Sequence, residues 1–439
     1  YSSLPVSRGY RTLFKSAFRD LIAAEITVKD LLFLMESDEI PSQEQKKQLS
    51  EFIVCYDQYL RQIRKDGFDS YGDFFKKAAG AVKNNAYLKN FKYIIFYGFY
   101  DLTALQYNVF KEIAAHFEVS VYFPYLDTPA YSFVKNFYEG SILPLAQYKE
   151  ALPLDNSPFR QAACDIFLPS DNEALNPDIR IIGVSGVRDE VNAAAKEILT
   201  LKEKHHIAFG EIALFARTMD PYKYDIPAIF ARNKIPVNYS FEFPLLSHPF
   251  AAYIYNLLNL GRNDFYSADA AAVVASPYFK EGRREWRDII RNSGITGGLS
   301  QWSGLANLYI NSKNEEEKRL YRANAAQITQ TIQALANFYP TLEEAGDFEF
   351  LAEKANSFIE AFTREDIEDY ERNILEKIRK IIRQTASFSQ VRRRAQKGEF
   401  LDELLWAMKE ETFAKTSEYS DGVQAADIMA LRGQHFKAA

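Results

Sequence analysis

Four groups of residues in this 439-residue chain are of types that could do chemistry. The first is a pair of apolar run ends. Tyr97 and Gly98 close the run 93–97, and Phe123 and Pro124 close the run 119–123. If both runs are parallel strands, these are the ends at which an α/β sheet usually receives its ligand. Neither pair brings a side chain that could hold a metal ion. Asp101, Leu102, Thr103 and Gln106 follow just downstream of the first. The second group is Arg217, which follows the apolar run 212–215 and can pair with Asp220 or Glu190. The third is Arg432, Gly433, His435 and Phe436, which taken alone read as a surface turn carrying a cation. The fourth is a basic stretch: Arg372, Lys377, Arg379, Lys380, Arg383, Arg392, Arg393, Arg394 and Lys397. It reads as the solvated face of a helix that buries Ile374, Ile378, Ile381 and Ile382, or as a phosphate-tracking patch. His205 and His206 are adjacent, so their side chains leave the backbone on different faces, which favours a solvated helix end over a metal site.

The elements that must position these groups follow from hydrophobic spacing. Between the runs 93–97 and 119–123 lies an amphipathic stretch with Leu105, Val109, Phe110 and Ile113 on one face, and strand, helix, strand is the parallel crossover unit. Upstream, residues 11–25, 42–64 and 69–82 have helical spacing; the second carries Leu49, Phe52, Ile53, Tyr56, Tyr59, Leu60 and Ile63 at intervals of three and four. Residues 126–175 form a proline-spotted connection with helices expected at 131–137 and 159–167. A second α/β unit then opens with a strand at 180–184, a helix at 187–204 burying Val191, Ala194, Ala195, Ile198 and Leu201, a strand at 212–215, a short helix holding Ile229 and Phe230, and a strand at 235–237. From 250 to about 420 the pattern is helical, marked by Tyr253, Leu257, Leu258, Leu260, Trp286, Trp302, Ile328, Ile332, Phe350, Phe358, Ile374 and Leu404. Residues 423–436 resume a strand, with a turn at Gly433.

Composition bounds the classes. The length predicts two to four domains. Hydrophobic residues make up 47% of the chain, no apolar run approaches the roughly 20 residues of a spanning helix, and no secretory signal opens the sequence, so the cytoplasm is the expected compartment. Cys55 and Cys164 lie too far apart for a zinc or iron–sulfur ligand set, and both read as buried small hydrophobes. The net charge of −6 argues against a nonspecific nucleic-acid coat but leaves room for a basic channel.

An α/β core interrupted by a long helical insertion and resumed at the last residues resembles the UvrD/Rep group of superfamily 1 DNA helicases, and is most similar to the AddB-type subunit of bacterial ATP-dependent helicase/deoxyribonuclease complexes. Four pieces carry the resemblance over nearly the whole chain: residues 56–78 (YDQYLRQIRKDGFDSYGDFFKKA), residues 92–125, the run from Asp189 to Asp220 with its trailing NKIPVNY and LSHPFAAYIYNLL, and VQAADIMALRGQHF at 423–436. SPYF at 276–279 and SGITGG with Trp302 resemble the AddB-type version of the insertion.

The resemblance implies two RecA-like (P-loop NTPase-like) parallel-sheet cores with large helical insertions: 1–90 as the insertion of the first core, 91–175 as the C-terminal part of that core, 176–250 plus 421–439 as the second core and 251–420 as its insertion. In such proteins DNA runs across the two cores and ATP binds between them. Active members carry an Asp-Glu pair at the first strand end, where Tyr97 and Gly98 stand here. The aspartate would orient Mg²⁺ and the glutamate would place the attacking water, so their loss removes what phosphoryl transfer needs. The Gly-Asp of the next motif is here Phe123 and Pro124. No G-x-x-x-x-G-K-S/T loop occurs.

On this reading no residue is catalytic. Gln106, Arg217, Arg432 and Gly433 are remnants of a nucleotide site. Arg432, His435, Arg392, Arg393 and Arg394 are candidate DNA contacts, with histidine standing where the family carries an acid. The implied function is a DNA-binding, helicase-like subunit with a silent motor, part of a DNA-end-processing complex in double-strand break repair and recombination. Its partners would be DNA and an AddA-like subunit, with no membrane contact. The chain holds no cofactor on this reading. It reads as a piece of a longer protein whose PD-(D/E)XK exonuclease domain, with Mg²⁺, lies beyond Ala439. Two alternatives remain open: an active translocase whose Walker A segment precedes residue 1, and a partner-docking platform that never touches DNA.

Overall fold

Serine, threonine and aspartate set the helix starts in the first part of the chain. α1 (Arg8–Ala23), α3 (Gln43–Lys65) and α4 (Tyr71–Ala81) match the expected stretches 11–25, 42–64 and 69–82, and α2 (Val28–Glu36) is a further helix that falls outside them. Thr27 Oγ1 accepts the Asp30 N–H at 3.3 Å while the Asp30 carboxylate accepts the Thr27 N–H at 2.8 Å, and Ser70 and Asp73 repeat the exchange ahead of α4. Each reciprocal pair satisfies two N–H groups that the first turn leaves without a partner. The apolar stripes of α1 to α3 meet around Phe18, Leu31, Ile53 and Tyr56, with the Phe14 and Phe52 rings stacked at 5.8 Å.

The computed structural model describes residues 8–37, 39, 42–126, 129–151, 179–305, 315–414 and 419–439. The helix expected at 159–167, and Cys164 within it, lie outside the described residues. The chain divides into two units, one of Tyr1–Gly183 with Arg432–Gln434 and one of Val184–Leu431 with His435–Ala439.

In unit 1 the crossover forms as the spacing predicts. β1 (Ile94–Tyr97), α5 (Ala104–His116) and β2 (Val119–Tyr122) succeed one another, and the strands pair in parallel with Ile94 opposite Val119 and Tyr97 opposite Tyr122. A connection of helix length is what parallel pairing requires. α5 buries Leu105 and Phe110, and Phe110 meets Phe96 edge to face at 4.9 Å. Alternate strand residues point to opposite faces, so Ile95 and Tyr97 are left exposed. α6 (Ser132–Phe137) fills the helix expected at 131–137.

Unit 2 opens with α7 (Val187–His205), β3 (Ala213–Ala216), α8 (Asp225–Arg232), β4 (Val237–Tyr239) and β5 (Glu242–Pro244). The helical stretch follows: α9 (Pro249–Asn259), α10 (Ser267–Val274), α11 (Trp286–Asn292), α12 (Leu299–Ser303), α13 (Glu315–Phe338), α14 (Pro340–Glu343), β6 (Gly346–Asp347), α15 (Phe348–Phe362), α16 (Asp369–Ala386), β7 (Arg394–Ala395), α17 (Glu399–Glu410) and β8 (Thr412–Ala414). The last strand, β9 (Val423–Asp427), lies between β3 and β4 in an all-parallel sheet, with Ala213 opposite Gln424 and Val237 opposite Val423. The core interrupted by helices and resumed at the end of the chain is therefore present. The insertion packs its tryptophans with their N–H groups satisfied: Trp286 Nε1 donates to Asn324 Oδ1 at 3.1 Å and Trp302 Nε1 to the Phe265 carbonyl at 2.8 Å.

Four expectations need correction. Residues 180–184 form no strand, and Ile181 is 96% exposed; an apolar run becomes a strand only where a neighbour takes its hydrogen bonds. The strand expected at 235–237 begins at Val237, because the chain first wraps the end of α8, the Ile235 N–H donating to the Phe230 carbonyl at 2.9 Å. Cys55 is exposed, facing away from the cluster that Ile53 and Tyr56 enter. The strand expected over 423–436 ends at Asp427, and a tight helical turn follows at Ile428–Leu431. No helix among the described residues is long and apolar enough to cross a membrane.

Candidate nucleic-acid interface

At the carboxyl end of β1 the chain turns on Gly98, whose φ of +75° is a conformation other residues enter at a cost. Tyr97 stands on the open face, 60% exposed, with its ring 6.2 Å from that of Tyr122 at the end of β2. Tyr100, just past the turn, lies 5.6 Å from the Phe133 ring on one side. On the other, the Arg432 guanidinium is 4.3 Å from the Tyr100 ring centroid, a cation–π distance. Gly433 adopts φ +73°, and a Cβ there would collide with the edge of the Tyr97 ring, so only glycine fits against it. All of these residues belong to unit 1. The ends of β1 and β2 thus present aromatic faces and one guanidinium, groups that stack on bases and contact phosphates. Gln106 is placed otherwise: its Oε1 accepts the Thr103 N–H at 3.0 Å and its own N–H donates to Thr103 Oγ1 at 3.3 Å, closing the cap of α5. Among the described residues no group of three or more His, Cys, Asp or Glu side chains could hold a metal ion.

In unit 2, Arg217 follows β3 and is exposed. The pairings considered from sequence are not made: Asp220 takes Lys223 at 2.6 Å, and Glu190 accepts the Tyr222 hydroxyl at 2.6 Å. The lysine contact holds the Asp220 carboxyl below its usual range, and the Glu190 hydrogen bond raises the Tyr222 phenol. Beside Arg217 a cleft of about 230 Å³ opens between α7 and β3, lined by Glu190, Val191, Leu214, Phe215 and Tyr222. Asp427, at the end of the middle strand, accepts the Met219 N–H at 2.7 Å and so fixes the loop that follows Arg217. His205 ends α7 and His206 caps it in the left-handed conformation, both exposed, as the solvated-end reading expects.

Five of the nine cations of the basic stretch are ion-paired, Arg372 with Asp369 at 3.7 Å among them. Arg379 bonds Glu376 and Glu360, each at 2.8 Å; Lys377 pairs with Glu411 at 3.1 Å, Arg392 with Glu399, and Arg393 with Asp347 at 3.2 Å. Arg394, in β7, is exposed and forms no ion pair among the described residues. The solvated-face reading of α16 fits these partners, with Ile374, Ile378, Ile381 and Ile382 buried beneath. His435 is exposed in unit 2.

Two features escaped the sequence reading. Tyr100 lies beyond the strand end, and nothing in the local pattern marks it as the seat of an arginine 332 positions away. The second is an arginine-dense run at 283–291; its spacing of three and four was readable but was overshadowed by the longer run at 372–397.

No protein-family model matches the chain. It is similar to the B subunits of ATP-dependent helicase/deoxyribonucleases: that of Anoxybacillus flavithermus, 22% identical over 260 residues, covering 53% of this chain and 22% of the relative; that of Clostridium perfringens strain SM101, 24% identical over 170 residues, 36% of this chain and 14% of the relative; and that of Staphylococcus carnosus, 30% identical over 90 residues, 20% of this chain and 8% of the relative. These matches span less than a quarter of the relatives' length.

Proposed function

We propose that this chain is the helicase-like, DNA-binding part of a subunit of a DNA-end-processing helicase-nuclease, and that its motor does not hydrolyse ATP. Weak similarity to helicase/deoxyribonuclease B subunits supports the class. The parallel sheets, and a second sheet completed only by the last strand, support a UvrD/Rep-like arrangement of two RecA-like cores, with the parcels 1–90, 91–175, 176–250 plus 421–439, and 251–420. DNA and an AddA-like subunit are the proposed partners, the cytoplasm the proposed compartment, and Mg²⁺ the metal of a nuclease domain outside these residues.

One observation carries the reading. At the end of β1, where hydrolysing relatives would need carboxylates, the chain places Tyr97 and Gly98, with Gly433 packed on the tyrosine ring and Arg432 on Tyr100. Aromatic faces and a guanidinium bind a nucleic-acid strand but neither hold Mg²⁺ nor polarise water. The test is ATP hydrolysis by the full-length protein freed of its partner, with and without single-stranded DNA. The expected result is no turnover in either case. Turnover stimulated by DNA would favour an active translocase and overturn the silent-motor reading.

A further inference from the structure

We propose that Arg284, Arg287 and Arg291, on one side of α11 and the turn that leads into it, form a second contact site for the phosphates of single-stranded DNA. The proposal rests on the DNA-binding reading and adds a site to it in unit 2. The Trp286 N–H donates to the Arg283 carbonyl at 3.1 Å and the Arg287 N–H to the Arg284 carbonyl at 3.2 Å, so the helical path begins before α11 itself. At 3.6 residues per turn, positions 284, 287 and 291 fall within about 60° of one another, and about 110° around the helix from the middle of Trp286 and Ile290, which are buried. All three arginines are exposed, and none forms an ion pair among the described residues.

The contrast with the other basic stretch is what singles this row out. There five of the nine cations, Arg372, Lys377, Arg379, Arg392 and Arg393, have carboxylate partners. Here Lys280, Arg283, Arg284, Arg287 and Arg291 stand against Glu281, Glu285 and Asp288, and no ion pair forms among them. Arg283 is occupied by the Trp286 ring, 5.8 Å from its centroid. Like charges four positions apart on a helix repel, as Arg287 and Arg291 do. A polyanion lying along the row offsets that repulsion and releases its own counterions, the main source of affinity in nucleic-acid binding. In a chain of net charge −6 this local excess of cations is set against the overall balance.

The experiment uses the whole 439-residue chain and a fluorescein-labelled single-stranded oligonucleotide of about 20 residues, with affinity read by anisotropy between about 50 and 200 mM salt. In the combined variant Arg284→Ala, Arg287→Ala, Arg291→Ala, affinity at the lowest salt should fall at least about tenfold, and the slope of log affinity on log salt should flatten by about 2, some 0.7 per lost phosphate contact. Lysine at the same three positions should restore most of the slope, and circular dichroism melts should match the parent because the side chains are exposed. An unchanged slope in the alanine variant, with the parent chain binding normally, overturns this site and leaves the DNA-binding reading intact. No binding by the parent chain at the lowest salt overturns both.

Discussion

Gly433 is a residue whose replacement has two separable consequences. An alanine there would hold a left-handed backbone, and its methyl group would enter the space of the Tyr97 ring. The backbone part alone costs about 1–2 kcal/mol. Gly433→Ala should therefore lower the urea midpoint by more than that strain explains, and the excess should vanish in a Tyr97→Ala background. Equal losses in both backgrounds would mean that the ring and the turn do not touch. His248 offers a second test. Its Nδ1 accepts the Phe250 N–H at 3.2 Å, which caps α9 and requires the neutral ring on that side. Burial pushes its pKa below the usual 6.5, with Glu371 opposing the shift. The unfolded state then takes up a proton before the folded one does, so this stabilisation is present above about 6.5 and drains as pH falls through that value toward the lower folded pKa. Urea midpoints at about pH 7.5 and 5.5 should show that decline in the parent and a smaller one in His248→Asn, which keeps a good capping side chain. The strand end at Tyr97 and Gly98 and the turn at Gly433 were legible in the sequence because strand ends and glycine turns carry local signals. That Arg217 pairs with neither Asp220 nor Glu190 was not legible, since Lys223 and Tyr222 claim those carboxylates only once the loop after β3 is folded.

Elements of the helical insertion are held together by one arginine that no motif announces. Arg262 Nε meets Glu343 Oε1 and Nη1 meets Asp402 Oδ1, both at 2.5 Å, while Nη2 donates to the Gly398 carbonyl at 2.7 Å. It thus joins the end of α9 to α14 and to the start of α17. Arg262→Ala leaves two carboxylates facing each other in a partly buried place and should destabilise unit 2 by roughly 2–4 kcal/mol, measured by urea unfolding; a loss within about 0.5 kcal/mol, the range of an ordinary surface substitution, would mean that water replaces it freely. Helices were the elements best read from sequence: α3 and α7 fall within a residue of their expected ends because a stripe of three-and-four spacing is local, as is the Ser42 cap of α3. Strands fared less evenly. β1 and β2 are marked by glycine and proline just past their ends, whereas residues 180–184 have the same apolar character and form no ladder, since pairing depends on a neighbour that local sequence cannot reveal.

At the scale of the molecule, the sheet of unit 2 is closed by the last element of the chain. β3 and β4 both pair with β9, and Ala213 of β3 also donates its N–H to the Ala438 carbonyl at 2.9 Å, so deletion of 421–439 should leave both strands without a ladder and abolish cooperative unfolding of that core, while much of the helical circular dichroism persists. Retained cooperativity would show that the insertion alone supports the unit. This long-range closure was readable only because the helical pattern ended and an apolar run resumed. That the chain handles DNA with a silent motor is a claim about charge and chemistry together, and its most direct measurement is the salt dependence of binding to single-stranded DNA by the purified chain, without nucleotide. The account predicts tight binding at about 50 mM salt that weakens linearly on a log–log scale as salt rises. Absence of measurable affinity at that lowest salt would contradict it.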